Sequence, residues 1–155
     1  MLRTQLLMEQ GSEYLKAFCE QILSLHNTIR FAGVADYAGK LLGSSYRARL
    51  VPLIDKAQTE RYALQTVFRA RSRGEFKPQV GENKYAIAVY EKLIRSTIPI
   101  NHGSEEFRSM YLLVSLDVGG DCMKVIEGMI LPFISEAKDA FFANTRVISD
   151  ELSHT

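Results

Sequence analysis

The sequence carries almost no excess charge of either sign: 19 Lys and Arg against 18 Asp and Glu leave a formal net charge of +1. Chains that grip nucleic acid by its phosphates generally hold a larger basic surplus, so nucleic acid is disfavoured as a partner. Cysteine is nearly absent. Cys19 and Cys122 are too few for a disulfide framework and lack the Cys/His spacing of a zinc site, so both read as reduced, semi-buried small hydrophobes. No apolar run reaches the roughly 18 residues of a membrane span. The opening MLRTQLLMEQGSEYLK lacks the unbroken apolar centre and small-residue cleavage site of a secretory signal. A soluble, cytoplasmic protein is expected.

Groups that perform chemistry are also scarce. The three histidines are His26 at a helix end, His102 in a glycine-containing loop and His154 in the tail. His26 reads as a contact with helix-terminal carbonyls. No Ser-His-Asp order, no serine on a glycine elbow and no HExxH occurs. Asp36, Glu91 and Asp117 fall at strand ends or turns, where carboxylates act as solvated caps. The expectation is no enzyme, no cofactor and no metal.

What the sequence does contain is period. A chain of 155 residues that is 46% hydrophobic is long and apolar enough to bury one core. Leu15, Phe18, Ile22 and Leu25 form a helical stripe, with Ser12 placed to cap a helix from Glu13. IRFAGVAD then opens a strand, DYAG turns it, and Leu41 and Leu42 begin the return. A second helix is predicted over 59–72 with Leu64, Val67 and Phe68 on its apolar face and Gly74 as its stop. FKPQVGENK reads as a loop. A second hairpin follows over 85–100, turning at Glu91-Lys92, with Ile94, Ser96, Ile98 and Ile100 on one face and Arg95 and Thr97 on the other. YLLVSLDV is the fifth strand, and a last helix opens at Asp121 with a kink or fresh start at Pro132.

The predicted class is α+β: a five-stranded antiparallel sheet covered by helices, in the order α-β-β-α-β-β-β-α, with both hairpins in one sheet. Residues 1–12 are assigned to an N-terminal extension, 13–147 to a single domain and 148–155 to a frayed C-terminal tail.

With IRFAGVADYAGKLLG after a helix and YLLVSLDVGGD before the last one, this order resembles the roadblock (dynein light-chain type) and profilin-like superfold. The phrases IRFAGVAD, YAIAVYEKLIRSTIPI and ILPFI more narrowly resemble an archaeal domain family of that architecture. The resemblance covers about residues 13–134, and its motifs are structural. It implies a homodimer and a scaffolding or regulatory role, often toward small GTPases; the related PAS-type sheet implies a small ligand over its face. The chain departs from compact roadblock domains in its long connection over 44–84.

The candidate surfaces come from small residues, arginines, an uncharged strand and a glycine turn. The small residues Ala32, Gly33 and Ala35 require something packed closely over their strand, either a helix or a small ligand. Arg71, on the apolar side of its helix, either reaches to solvent or holds a carboxylate or anionic ligand there. Arg61, Arg69 and Arg73 form a ridge that is either a solvated helix face or a patch for an acidic protein partner, with Arg47 and Arg49 nearby. The Tyr85–Tyr90 run carries no charge between its tyrosines, so Tyr85, Ile87 and Val89 are a candidate dimer edge. DVGGD is a tight turn or, less in keeping with its lack of a lysine, an anion site.

Overall fold

The computed structural model describes residues 2–153. The described elements run α1 (Leu2–Ser24), β1 (Ile29–Ala35), β2 (Leu41–Tyr46), α2 (Lys56–Arg73), α3 (Lys77–Val80), β3 (Ala86–Val89), β4 (Ile94–Ile100), β5 (Met110–Leu116), α4 (Cys122–Val125) and α5 (Leu131–Ser153). All five strands join one antiparallel sheet in the order β2-β1-β5-β4-β3. The two hairpins therefore lie in one sheet, with β5 inserted between them. Every residue of β5 is buried.

One face of the sheet carries the main core. Leu15, Phe18, Cys19 and Ile22 of α1 pack on Ala32, Val34, Leu112 and Val114, and α5 adds Ile134, Phe141 and Ile148. Phe141 is fully buried, with ring contacts to Phe18 at 5.1 Å and to Phe142 at 5.4 Å between centroids. The other face carries a smaller core, in which Ala63, Val67 and Ala70 of α2 meet Phe31, Ala35, Tyr111 and Leu113. The close-packed element required over Gly33 and Ala35 is thus α2 together with the Phe31 ring.

Several boundaries differ from the sequence reading. α1 starts at Leu2 rather than Glu13, because Gly11 lies against α5, its Cβ direction meeting the Asn144 carbonyl and the Ile148 side chain at 3.0 Å. α2 starts at Lys56, nucleated by a capping box. The Asp55 carboxylate accepts from the Gln58 amide at 2.8 Å, and the Gln58 side chain accepts from the Asp55 amide at 2.9 Å. Its buried face is Thr59, Ala63, Thr66, Val67 and Ala70, whereas Leu64 and Phe68 are 42% and 54% exposed. Small residues face inward because the helix sits close to the sheet. Gly74 keeps right-handed dihedrals and leads into a short 3₁₀ turn, followed by the single turn α3 where a loop was expected. The tail continues as helix to Ser153.

Pro132 behaves as its chemistry demands. It has no N–H for the carbonyl four residues earlier, and the chain widens into a π-type turn over Ile126–Ile130 before α5 restarts at Leu131.

The β1–β2 turn is held by Asp36, whose carboxylate accepts from the Ala38 and Lys40 amides at 3.0 and 2.9 Å. Gly39 follows with φ +90°, and a Cβ there would stand 3.0 Å from the Leu64 Cα. Gly39→Ala is therefore expected to cost about 1–3 kcal/mol in urea unfolding. Gly103→Ala, with open space at its Cβ position, serves as the control and should stay within about 0.5 kcal/mol of the parent.

Candidate interaction surface

The sheet ends in two open edges, β2 and β3. In the β3–β4 hairpin the Tyr90 amide donates to the Leu93 carbonyl at 2.9 Å. Antiparallel ladders alternate, so Ala88 and Ala86 also bond inward to β4, and the amides and carbonyls of Ile87 and Val89 point outward from the sheet. The strand has no bulge, no proline and no lysine in its length. The Val89 side chain is 74% exposed and Tyr90 50%. Ile87 and Tyr85 instead pack half-buried on the main core, and the Tyr85 hydroxyl donates to the Glu127 carboxylate. Of the three candidate edge residues, Ile87 and Val89 lie in the edge strand and Tyr85 directly precedes it.

The arginines separate. Arg61, Arg69 and Arg73 are all exposed on α2, and Arg69 donates to the Thr66 hydroxyl at 3.0 Å. Arg71 does not enter the core: its guanidinium lies 3.9 Å from the Tyr37 ring centroid and donates to the Tyr37 carbonyl, bracing the β1–β2 turn. Ala32, Gly33, Ala35 and Arg71 are not brought together around one cavity. Ala32 faces α1 in the main core, Ala35 faces α2, and the Cβ direction of Gly33 is filled by the Phe31 ring at 2.8 Å.

Asp117 is a correction to the reading of a solvated cap. Arg30 donates to it at 3.0 Å, and Arg47 donates to both of its oxygens at 2.7 and 3.2 Å while also reaching the Asn27 carbonyl. The hydrogen bond from Arg47 is the main influence holding its carboxyl below the ordinary value of 3.8, with Arg30 adding to it against partial burial. This clasp ties the end of β2 to the end of β5. The partner residues lie 70 and 87 positions away along the chain, so no local motif announced them.

His26 accepts from the Thr28 amide through Nδ1 at 3.2 Å rather than contacting helix-terminal carbonyls. His102 likewise accepts the Glu105 amide through Nδ1 at 3.1 Å and sets its ring edge-on to Phe142. His154 lies outside the described residues. In DVGGD, the Asp121 side chain itself accepts the Lys124 amide at 3.1 Å. Burial pushes the Cys19 thiol up to about 12, and Cys122 is half-buried; both are free. Among the described residues no group of His, Cys, Asp and Glu is arranged to hold a metal ion, and no helix is long and apolar enough to cross a membrane.

A cleft does lie between β1 and the long connection, but it is not lined by Ala32, Gly33 or Ala35. It opens on the α2 side of the sheet beneath the 47–55 connection, with Arg30, Arg95, Tyr62 and Ser115 among its lining residues. The alternation in β4 placed Arg95 on this face, but the connection that roofs it has no periodic signal.

The sequence matches no protein-family model and no curated protein. The structure, in contrast, is similar to several solved ones. Myxococcus xanthus MglB superposes with a TM-score of 0.64 at 18% identity, covering 86% of this chain and 91% of that one. A Roadblock/LC7 domain from Streptomyces avermitilis gives 0.57 at 10% identity, covering 85% and 94%. An MglB with a tetrameric arrangement gives 0.57 at 14% identity, covering 91% of each. The fold is of the roadblock type.

The Asp117 clasp has a pH signature. A carboxyl whose pKa is depressed by folding adds stability that is complete above its unfolded value and is lost as pH falls through the folded value. Urea unfolding should show Asp117→Asn less stable than the parent at neutral pH. The gap should begin to close as the pH drops below 3.8 and vanish only below the lower folded value, where the parent's folded carboxyl also becomes neutral. A gap that does not vary with pH would show that the clasp contributes no electrostatic stability.

Proposed function

We propose that this chain is a non-enzymatic regulatory or scaffolding module that works as a twofold homodimer joined through β3. The observation that carries the reading is the undefended β3 edge: Ile87 and Val89 present outward backbone groups with nothing in the strand to discourage pairing. Pairing with a second copy satisfies those groups, and twofold closure stops the assembly at two strands rather than a fibre. α2 adds to the same surface. It covers β1 and β5, leaving Ala88 of β3 exposed on its own side of the sheet, and it displays Phe68 outward.

The roadblock-type fold supports a regulatory role, and an MglB with this fold is described in a tetrameric arrangement. The exposed Arg61, Arg69 and Arg73 suit an acidic protein partner, bound by charge complementarity at the helix face. Two unpaired cysteines suit a reducing compartment such as the cytoplasm. In keeping with this reading, His26 and His102 each accept a backbone amide through Nδ1, an arrangement that orders local turns.

Size-exclusion chromatography with light scattering tests the dimer. Wild-type protein is expected to elute as a dimer at tens of micromolar, and Val89→Pro as a folded monomer with an unchanged circular dichroism spectrum. Proline removes an outward N–H while leaving the β4 ladder intact, a substitution that edge strands tolerate. A monomeric wild type, or a Val89→Pro variant that stays folded and dimeric, would refute pairing through β3.

A further inference from the structure

The floor of the cleft under the 47–55 connection is a single cross-strand row. Tyr46 of β2, Phe31 of β1, Ser115 of β5 and Arg95 of β4 stand opposite one another in register on the α2 side. The row passes from two aromatic rings, 4.9 Å apart between centroids, to a hydroxyl and then a guanidinium. Leu53 and Ile54 form the opposite wall. Both ends of the connection are pinned, by the Arg47 amide on the Arg30 carbonyl at 2.8 Å and by the Asp55 capping box. The cleft is therefore preformed, and it does not depend on a second copy.

Its polar end is unsatisfied. Arg95 is half-buried, lying 3.8 Å from the Tyr62 ring centroid and 5.5 Å from that of Tyr90. No carboxylate of the described residues pairs with it. The other guanidinium at the cleft, Arg30, is already committed to Asp117. Ser115 is 9% exposed and lines the cleft in register with Arg95. Stacking on Tyr62 covers a face of the guanidinium but leaves its edge N–H groups unused, and a charge half removed from water favours an anion in their plane.

We propose that this cleft binds a small organic monocarboxylate with an apolar body. The carboxylate meets the edge of Arg95 and accepts from the Ser115 hydroxyl, and the apolar part lies between Phe31 and the Leu53–Ile54 wall. One guanidinium without a carboxylate partner, beside the Ser115 hydroxyl and facing Phe31, Leu53 and Ile54, matches a single negative charge better than a phosphate dianion. This site lies within one protomer and goes beyond the proposed dimeric role, giving the module a ligand to sense.

The probe is hexanoate, with hexanamide as its neutral counterpart, followed by ¹⁵N amide shifts. Hexanoate at millimolar concentration is expected to shift the amides of Arg95 and Ser115 saturably, and hexanamide to leave them in place. Arg95→Met, which keeps the apolar stem, and Ser115→Ala should each weaken binding by about tenfold, as for loss of a hydrogen bond to a charged group. If Arg95→Met fails to fold, Ser115→Ala carries the test. Equal shifts with hexanamide, no saturable shift with hexanoate, or unweakened binding by the folded variants would overturn the proposal. The Val89→Pro variant should bind as the parent does; loss of binding there would move the ligand to the dimer contact and refute a cleft within one chain.

Discussion

A mismatch of widths governs this structure. Five strands at the spacing of a sheet span roughly 19 Å between the outer two, and one helix with its side chains covers about 10 Å. The main-core face is closed because two long helices, α1 and α5, lie on it side by side. On the opposite face α2 is the one long helix among the described residues, seated over β1 and β5. What remains there has to be covered by a connection, by long polar side chains, or by another molecule. The 47–55 arch, the Arg95 guanidinium and the exposed flank of β3 are three answers to the same shortage.

The same constraint explains which residues line α2. A lone helix gains most by sitting close, and close approach admits Ala63, Thr66 and Ala70 but not leucine or phenylalanine. Gly39 and Ala35 meet it from the sheet side. Leu64 and Phe68, the bulkiest apolar residues of the helix, are thereby turned to the flank and to solvent. Reading the wheel by hydrophobicity places Val67 correctly but turns Leu64 and Phe68 inward, whereas the small residues of IRFAGVA already asked for a close neighbour.

Strands were legible because alternation survives any partner: Ile94, Ile98 and Ile100 face one core and Arg95 the other side, as their spacing requires. Helix limits were less so. Gly11 looks like a boundary in one dimension, yet in three it is the contact that lets α1 cross α5. Asp117 shows a similar limit. A carboxylate at a strand end looks solvated until one residue from β1 and another just beyond β2 converge on it, and nothing near it in the chain distinguishes the two cases. The cleft depends on such convergence entirely, since its floor draws on four strands and its wall on a connection.

The placement of β5 between β1 and β4 also bears on how the chain acquires its shape. The β1–β5 ladder joins Ala35 to Tyr111 and Ile29 to Leu116, so the middle of the sheet is made by its most distant strands. Pairing across such separations is slow, because a long loop must close before any contact repays it. On the ribosome the β1–β2 hairpin and α1 emerge well before the strand that completes them. Until then, Val34 and its neighbours present an apolar edge to the crowded medium around the exit tunnel. Synthesis of this chain therefore passes through a stage in which its future interior is an adhesive surface. That stage ends only when Leu116 has cleared the tunnel and β5 has docked.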